Sequence, residues 1–391
     1  MINKKRLCIL FLVSAMLFSG AGCASKKQLP ADTNSLDSYV TIDTLPAETE
    51  EKIEILAAES DYFSFVSDPN CPEKPQFINP LSGLGASEDV SDMRPVAIMV
   101  NNIRAACPQV GISQGDIIYE CLAEGGITRM LMLSNDYRNL EKVGSIRSSR
   151  PYYIDFAMSH DAIYVHAGGS EDAYAAISNR RINNLDGVRG AHATEIFYRD
   201  QERLKTMSLE HTMVSDGEKL VMGIDLLGYR EEHTDDFVNT ILTPDWGFKL
   251  DLEGTAANYI KIPYNPSGAD TQIVEYEYDA QKGKYLRWQF IHEEHIDSMN
   301  GEQLAFDNII IIKMPHVVTN DYYNHRMVDT VGEGSGYFIT GGEMIEINWS
   351  KAGEDAEMYF TDINGAPLVI NRGKTIINVV DDDVHKGIII E

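Results

Sequence analysis

The sequence predicts an α/β (or α+β) N-terminal domain followed by a mostly antiparallel, β-rich C-terminal domain. Three observations carry this reading. As far as about residue 229, apolar runs of strand length alternate with helix-start signals. Beyond about residue 236, runs rich in β-branched and aromatic residues follow one another, separated by Gly and Asn-Gly turns. The first 80 residues, in contrast, contain no sustained pattern of either kind.

The N-terminus is a targeting segment. Lys4-Lys5-Arg6 is a positive n-region, Leu7–Phe18 an apolar run, and Ser19-Gly20-Ala21-Gly22 a small-residue approach to Cys23. That order is the layout of a secretory signal, and the run is shorter than the about 20 apolar residues of a spanning helix. Small residues directly before a cysteine resemble the lipobox of bacterial lipoproteins, although Gly20 stands where such boxes more often carry Leu. The resemblance implies that residues 1–22 are removed, and that Cys23 is acylated and anchors the chain to the extracytoplasmic face of the cell membrane. Residues 23–80, rich in Asp, Glu, Ser, Thr and Pro, read as a flexible acidic stalk with a short helix at Glu50–Ala58. A tether of about 55 residues could reach on the order of 150 Å when extended.

The α/β domain is placed at residues 90–230. Pro95–Val100, Asp116–Leu122, Arg129–Ser134 and Ala162–His166 are its strands. Pro151 suits a first helical turn capped by Ser149, giving a helix over Tyr152–Ser159. Gly168-Gly169-Ser170 opens a second helix at Glu171–Ile177, and further helical pieces fall at Arg199–Met207 and Gly217–Met222. The β-rich domain is placed at residues 236–391. Its strands are Tyr259–Tyr264, Thr271–Tyr278, Tyr285–Ile291, Asn308–Met314, Gly336–Thr340, Met344–Trp349, Met358–Thr361 and Thr375–Val380. Gln281-Lys-Gly283 supplies a hairpin turn, and Gly332-Glu-Gly-Ser-Gly336 reads as a flexible turn between strands.

Charge narrows the partners. The chain carries −27, and removing residues 1–22 takes away three basic and no acidic residues, leaving −30. Such a chain is repelled by nucleic acid and anionic surfaces, which excludes nucleic acid as the natural partner. Beyond Cys8 and Cys23 only Cys71, Cys107 and Cys121 remain, so at most one disulfide could form, Cys107 with Cys121 being the candidate pair. Against this acidic background, eleven of the sixteen arginines lie between Arg94 and Arg203, where Lys142 is the sole lysine. Arginine presents a planar fork of donors suited to carboxylate or phosphate.

Within that stretch Gly144-Ser-Ile-Arg147-Ser-Ser-Arg150-Pro-Tyr-Tyr153 sets two arginines three apart before a helix start. Arg147 and Arg150, with Arg129, could converge with free helix amides on an anion. Alternatively, they pair with carboxylates of the fold itself, Glu120, Glu124 or Asp155. Asp116 and Glu120 share a strand face and could supply a general base. His166 ends a strand beside a glycine loop, a place where α/β sheets bind ligands. His292-Glu-Glu-His295 lacks metal-site spacing and reads as a solvated loop. No P-loop, GxSxG or GxGxxG occurs, and nothing calls for a metal or cofactor.

Several motifs in order carry a resemblance. Arg94-Pro-Val-Ala-Ile-Met-Val-Asn-Asn102, Gly115-Asp-Ile-Ile-Tyr-Glu120, Glu124-Gly-Gly-Ile-Thr-Arg129, the arginine segment itself and His166-Ala-Gly-Gly-Ser170 resemble the YerB-like bacterial lipoproteins. The likeness continues through Asp307-Asn-Ile-Ile, Gly332–Gly336 and Ile347-Asn-Trp-Ser-Lys351. It implies a lipid-anchored protein with an N-terminal and a distinct C-terminal domain, and no particular reaction. Where such proteins tend to have Pro-His-Asn, this chain has Glu210-His211-Thr212. A shorter likeness, Arg129–Ser134 with Val143–Arg147 and the following helix, is to the LytR-CpsA-Psr ligases. These act on pyrophosphate-linked glycans, but their Arg-Ser-Asp-Thr motif has no counterpart at Thr128-Arg129-Met130. The leading expectation is a non-enzymatic envelope protein binding a partner or an anionic cell-wall component. The alternative is an enzyme on a pyrophosphate-linked envelope intermediate.

Overall fold

The computed structural model of the chain describes residues 60–391 apart from 269, 270, 320 and 323. The signal segment, Cys23 and the Glu50–Ala58 helix lie outside the described residues. The N-terminal region contains β1 (Phe63–Ser67), β2 (Val96–Asn102), β3 (Ile117–Leu122), β4 (Thr128–Ser134), α1 (Pro151–Met158), β5 (Ile163–His166), α2 (Glu171–Arg180), β6 (Asn184–Asp186) and α3 (Gly217–Leu227). The C-terminal region adds β7 (Phe248–Leu252), β8 (Thr255–Ala256), β9 (Tyr259–Asn265), β10 (Gln272–Asp279), β11 (Lys284–Gln289), β12 (Asn308–Lys313), β13 (Gly332–Thr340), β14 (Glu343–Lys351), β15 (Met358–Asp362) and β16 (Thr375–Val380).

One sheet of 11 strands runs through both regions in the order β8–β14–β13–β12–β16–β3–β4–β2–β5–β6, with β15 on β14. The joint is β16, which lies parallel to β12 on one side and to β3 on the other. All six of its residues are buried, as a strand covered on both faces requires. The regions expected at 90–230 and 236–391 therefore both contribute strands to one sheet. Strand pairing from β12 towards β8 is antiparallel, whereas β2, β5 and β6 are parallel neighbours.

Alternation along the strands builds two cores. One face contributes Met99, Tyr119, Leu131, Ile310 and Ile377 to a core shared with Tyr153 and Phe156 of α1. The other contributes Ile98, Ile118, Met132, Ile309 and Ile376, together with Leu220 and Ile224 of α3 and Ile262 and Tyr276 of β9 and β10. Strands β9–β10–β11 form a separate antiparallel meander, turned between the last two strands at Gly283, whose φ is +66°. The helices begin as the sequence dictates. Pro151 opens α1, Ser170 caps α2 by accepting from Ala173 N, and Asp216 caps α3 by accepting from Lys219 N. Each such cap is worth about 1 kcal/mol.

Three expectations are corrected. The stalk does not extend to residue 80: β1 pairs antiparallel with β7 over five positions, Phe63 is buried, and the Asn79 amide donates to Asp116 at 3.0 Å. Gly332–Gly336 is strand rather than turn, because β13 begins at Gly332 and pairs with β14 from there. Arg150, not Ser149, occupies the cap position of α1. The open question of a Cys107–Cys121 disulfide is answered as well: Cys71, Cys107 and Cys121 are all free thiols, and burial pushes the Cys107 thiol up to about 12.

Candidate functional site

The segment Gly144–Arg150 crosses the C-terminal ends of β2 and β5 and is knitted into both. Arg147 N donates to Met99 O at 2.9 Å, Asn101 N to Ser145 O at 3.0 Å, Ala167 N to Arg147 O at 3.0 Å and Ser149 N to Gly168 O at 2.8 Å. Small residues allow this close approach: a Cβ at Gly144 would stand 2.6 Å from Met213 O. The arginines therefore project from a fixed backbone rather than a floppy loop.

Their partners differ. Arg150 is buried and grips Glu124 with two parallel bonds, Nε to Oε1 at 2.5 Å and Nη2 to Oε2 at 2.7 Å. Arg129, also buried, reaches the same carboxylate at 3.4 Å and donates to Ser148 O at 3.0 Å. Burial alone would raise the Glu124 pKa, but the Arg150 hydrogen bonds and the two guanidinium charges outweigh it and hold it below the ordinary range. Both arginines are thus engaged by the fold's own carboxylate. Arg147 is not engaged in this way. Its side chain is 25 % exposed, and its ion-pair partner is Glu210, 54 % exposed, at 2.7 Å. The Arg147 hydrogen bond is the leading reason the Glu210 carboxyl lies below its usual range.

The structure brings Arg129, Arg147 and Arg150 together and separates Asp116 from them. Asp116 stands just before β3 and accepts from Asn79 and from Asn135 N at 2.9 Å. Arg129 pairs in register with Cys121 near the other end of that strand, roughly 17 Å away by strand rise. Burial raises the Asp116 pKa. His166 is fully buried, and its Nδ1 donates to Gly168 O at 2.8 Å while Nε2 lies 3.1 Å from Asn184 Oδ1. It holds the glycine loop in place and does not reach a surface. Glu120 is fully buried in an ion pair with Arg287 at 2.6 Å, and it also accepts from Asn102 at 3.0 Å and Thr128 at 2.7 Å. A carboxylate so engaged is not a free base. An arginine clamp with Asp116 or Glu120 as an adjacent free base is not what these side chains form.

Two sets of residues escaped the sequence reading. Glu210 sits in the segment where the family pattern departs, yet no local signal ties it to Arg147. Arg287, Gln109 and His295 complete the network around Glu120: His295 lies 2.7 Å from Gln109 Oε1 and contacts Arg287. His295 is buried, not solvated, and burial followed by the Arg287 charge drives its pKa well below the usual histidine value. An arginine on an alternating strand was the available clue, because Arg287 occupies an inward position of β11. Among the described residues no group of His, Cys, Asp and Glu is arranged to hold a metal ion.

Comparison with known proteins matches both halves of the chain. Residues 81–230 match the family described as "Protein of unknown function (DUF3048) N-terminal domain", and residues 260–377 match the C-terminal domain of the same family. The chain is 28 % identical over 307 residues to "Putative lipoprotein YerB" of Bacillus subtilis (strain 168), covering 78 % of this chain and 86 % of that protein. It is also similar to the crystal structure of the YerB protein from Bacillus subtilis, with a TM-score of 0.68 and 27 % identity. That alignment covers 80 % of this chain and 99 % of the solved one.

Proposed function

This chain belongs to the YerB-like lipoprotein family, and from that premise we propose that it is a binding protein of the cell envelope. It is held by acylated Cys23 on the extracytoplasmic face of the membrane and takes an anionic group of an envelope partner or cell-wall component at Arg147. The observation that carries the ligand part is the Arg147–Glu210 pair. A partly exposed guanidinium rests on a fixed backbone at the C-terminal ends of parallel strands, where α/β sheets bind ligands. Among the described residues its carboxylate partner is an exposed one, Glu210, that a phosphate or carboxylate could replace like for like. Arg199 flanks the same turn, donating to Leu209 O at 2.6 Å, and adds a second cation beside Glu210. The signal segment, the small residues before Cys23 and the acidic tether support the location.

The test has two arms. Cells grown with an alkyne-tagged fatty acid should label the wild type and not Cys23→Ala, and protease added to intact spheroplasts should digest the labelled chain. Affinity purification from membranes, followed by mass spectrometry of bound proteins and glycans, should then yield material that Arg147→Ala loses. An unchanged set of bound species in Arg147→Ala would refute the site, and protection of the labelled chain from protease would refute the location.

A further inference from the structure

We propose a second ligand site, separate from Arg147 and independent of the reading above: a cavity that takes a small amphiphilic anion, an acyl chain ending in a carboxylate or phosphate. The cavity, about 700 Å³, opens between the 112–115 turn, the start of β11, residues 299–306 and Lys374. Its size is that of a small-molecule pocket. Among the charged residues on its wall are three lysines, Lys282, Lys284 and Lys374, and a single carboxylate, Glu302. In a chain of net charge −27 this is a local reversal of sign. The remaining wall is largely apolar, with Ile118, Leu286, Met299, Leu304 and Phe306 among its residues.

The wall is built rather than incidental. Asp297, fully buried, accepts from Gly111 N at 2.8 Å, Ser113 N at 2.8 Å, Ser113 Oγ at 2.6 Å and Met299 N at 2.9 Å. One carboxylate therefore fixes the two loops that face each other across the opening. Lys284 is held by Asp307 at 2.7 and 2.8 Å. Lys374 makes no ion pair among the described residues; its ammonium donates to Ser113 O and keeps further donors for another acceptor. Asp116, Asp307 and Asp297 lie near enough to act on the Lys374 charge, but none of them is in ion-pair contact with it. An ammonium with donors to spare, set beside apolar surface in a pocket with fixed walls, fits an anion that carries its own apolar body.

The experiment uses the full-length lipoprotein in lipid nanodiscs, titrated with octyl phosphate and with octanoate, and empty nanodiscs as the blank. Saturable binding above the blank is expected for at least one probe, and the preferred probe identifies the head group. Lys374→Gln should weaken it about tenfold or more. Met299→Trp, which fills the cavity without touching a charge, should do the same. Absence of saturable binding by both probes would overturn the proposal. So would equal affinity in both variants, or inorganic phosphate binding as tightly as octyl phosphate.

Discussion

Two arginine–glutamate pairs in this molecule share a chemistry and almost a distance, 2.6 Å for Arg287–Glu120 and 2.7 Å for Arg147–Glu210. Their surroundings differ completely. Neither side chain of the first pair is accessible to solvent, and hydrogen bonds from Asn102 and Thr128 complete the Glu120 carboxylate. The second pair faces water on both sides. Charges taken from water must be compensated by partners, whereas charges left in water interact weakly and exchange readily. The difference teaches that an ion-pair distance says little about role. The first pair holds the meander to the central sheet, because β11 and β3 belong to different sheets. The second lies at the surface, within reach of solvent.

The comparison can be broken at its buried end. Arg287→Ala leaves Glu120 buried without its cation and should cost about 3–5 kcal/mol of stability, read from the urea midpoint. A cost below about 1 kcal/mol, the range of surface pairs, would erase the distinction. Replacing both members by apolar residues should recover only part of the loss, since removing Glu120 takes the acceptor from Thr128 and one of two acceptors from Asn102.

A smaller effect is expected at Lys351, a buried cation with no carboxylate in contact among the described residues. Burial lowers its pKa from 10.5 to about 8, with the Asp155 charge pulling the other way. The folded state disfavours the charged lysine by roughly 3 kcal/mol. Below about pH 8 the lysine is protonated in both states and the penalty is complete. Between about 8 and 10.5 the unfolded chain holds more protons, so stability from this group rises with pH. Lys351→Met, which also costs the hydrogen bond to Ala356 O, should gain most below pH 8, and its advantage over wild type should shrink as pH approaches 10.5. A gap that does not change with pH would show that Lys351 carries no such penalty.

How much of this was legible beforehand follows the same divide. Strands β2, β3, β4, β5 and β16 were readable because buried apolar runs bounded by turn residues are local signals. Gly332–Gly336 misled, since its strand character comes from pairing with β14 and not from its composition. The joining of both regions in one sheet was hidden, because β16 meets β3 across about 260 residues, a pairing no local pattern encodes. At the candidate site, Glu124 was foreseeable as a partner of Arg150, but Glu120 finds its cation 167 residues away. Sequence proximity gathered the arginines. It could not say which of them the fold would consume.

The exposed end gives the smallest effect on stability and the sharpest test of the contrast. Arg147→Ala removes a surface pair, so stability should move by no more than about 0.5 kcal/mol. The Glu210 carboxyl, held below its usual range first by the Arg147 hydrogen bond, should titrate upward in the variant when followed by carboxyl NMR. Loss of several kcal/mol would make Arg147 a structural residue like Arg287. An unmoved Glu210 would mean the pair does not persist in solution. A folded variant with a shifted Glu210 would leave Arg147 as a cation the fold can spare, and a cation the fold can spare is available to bind.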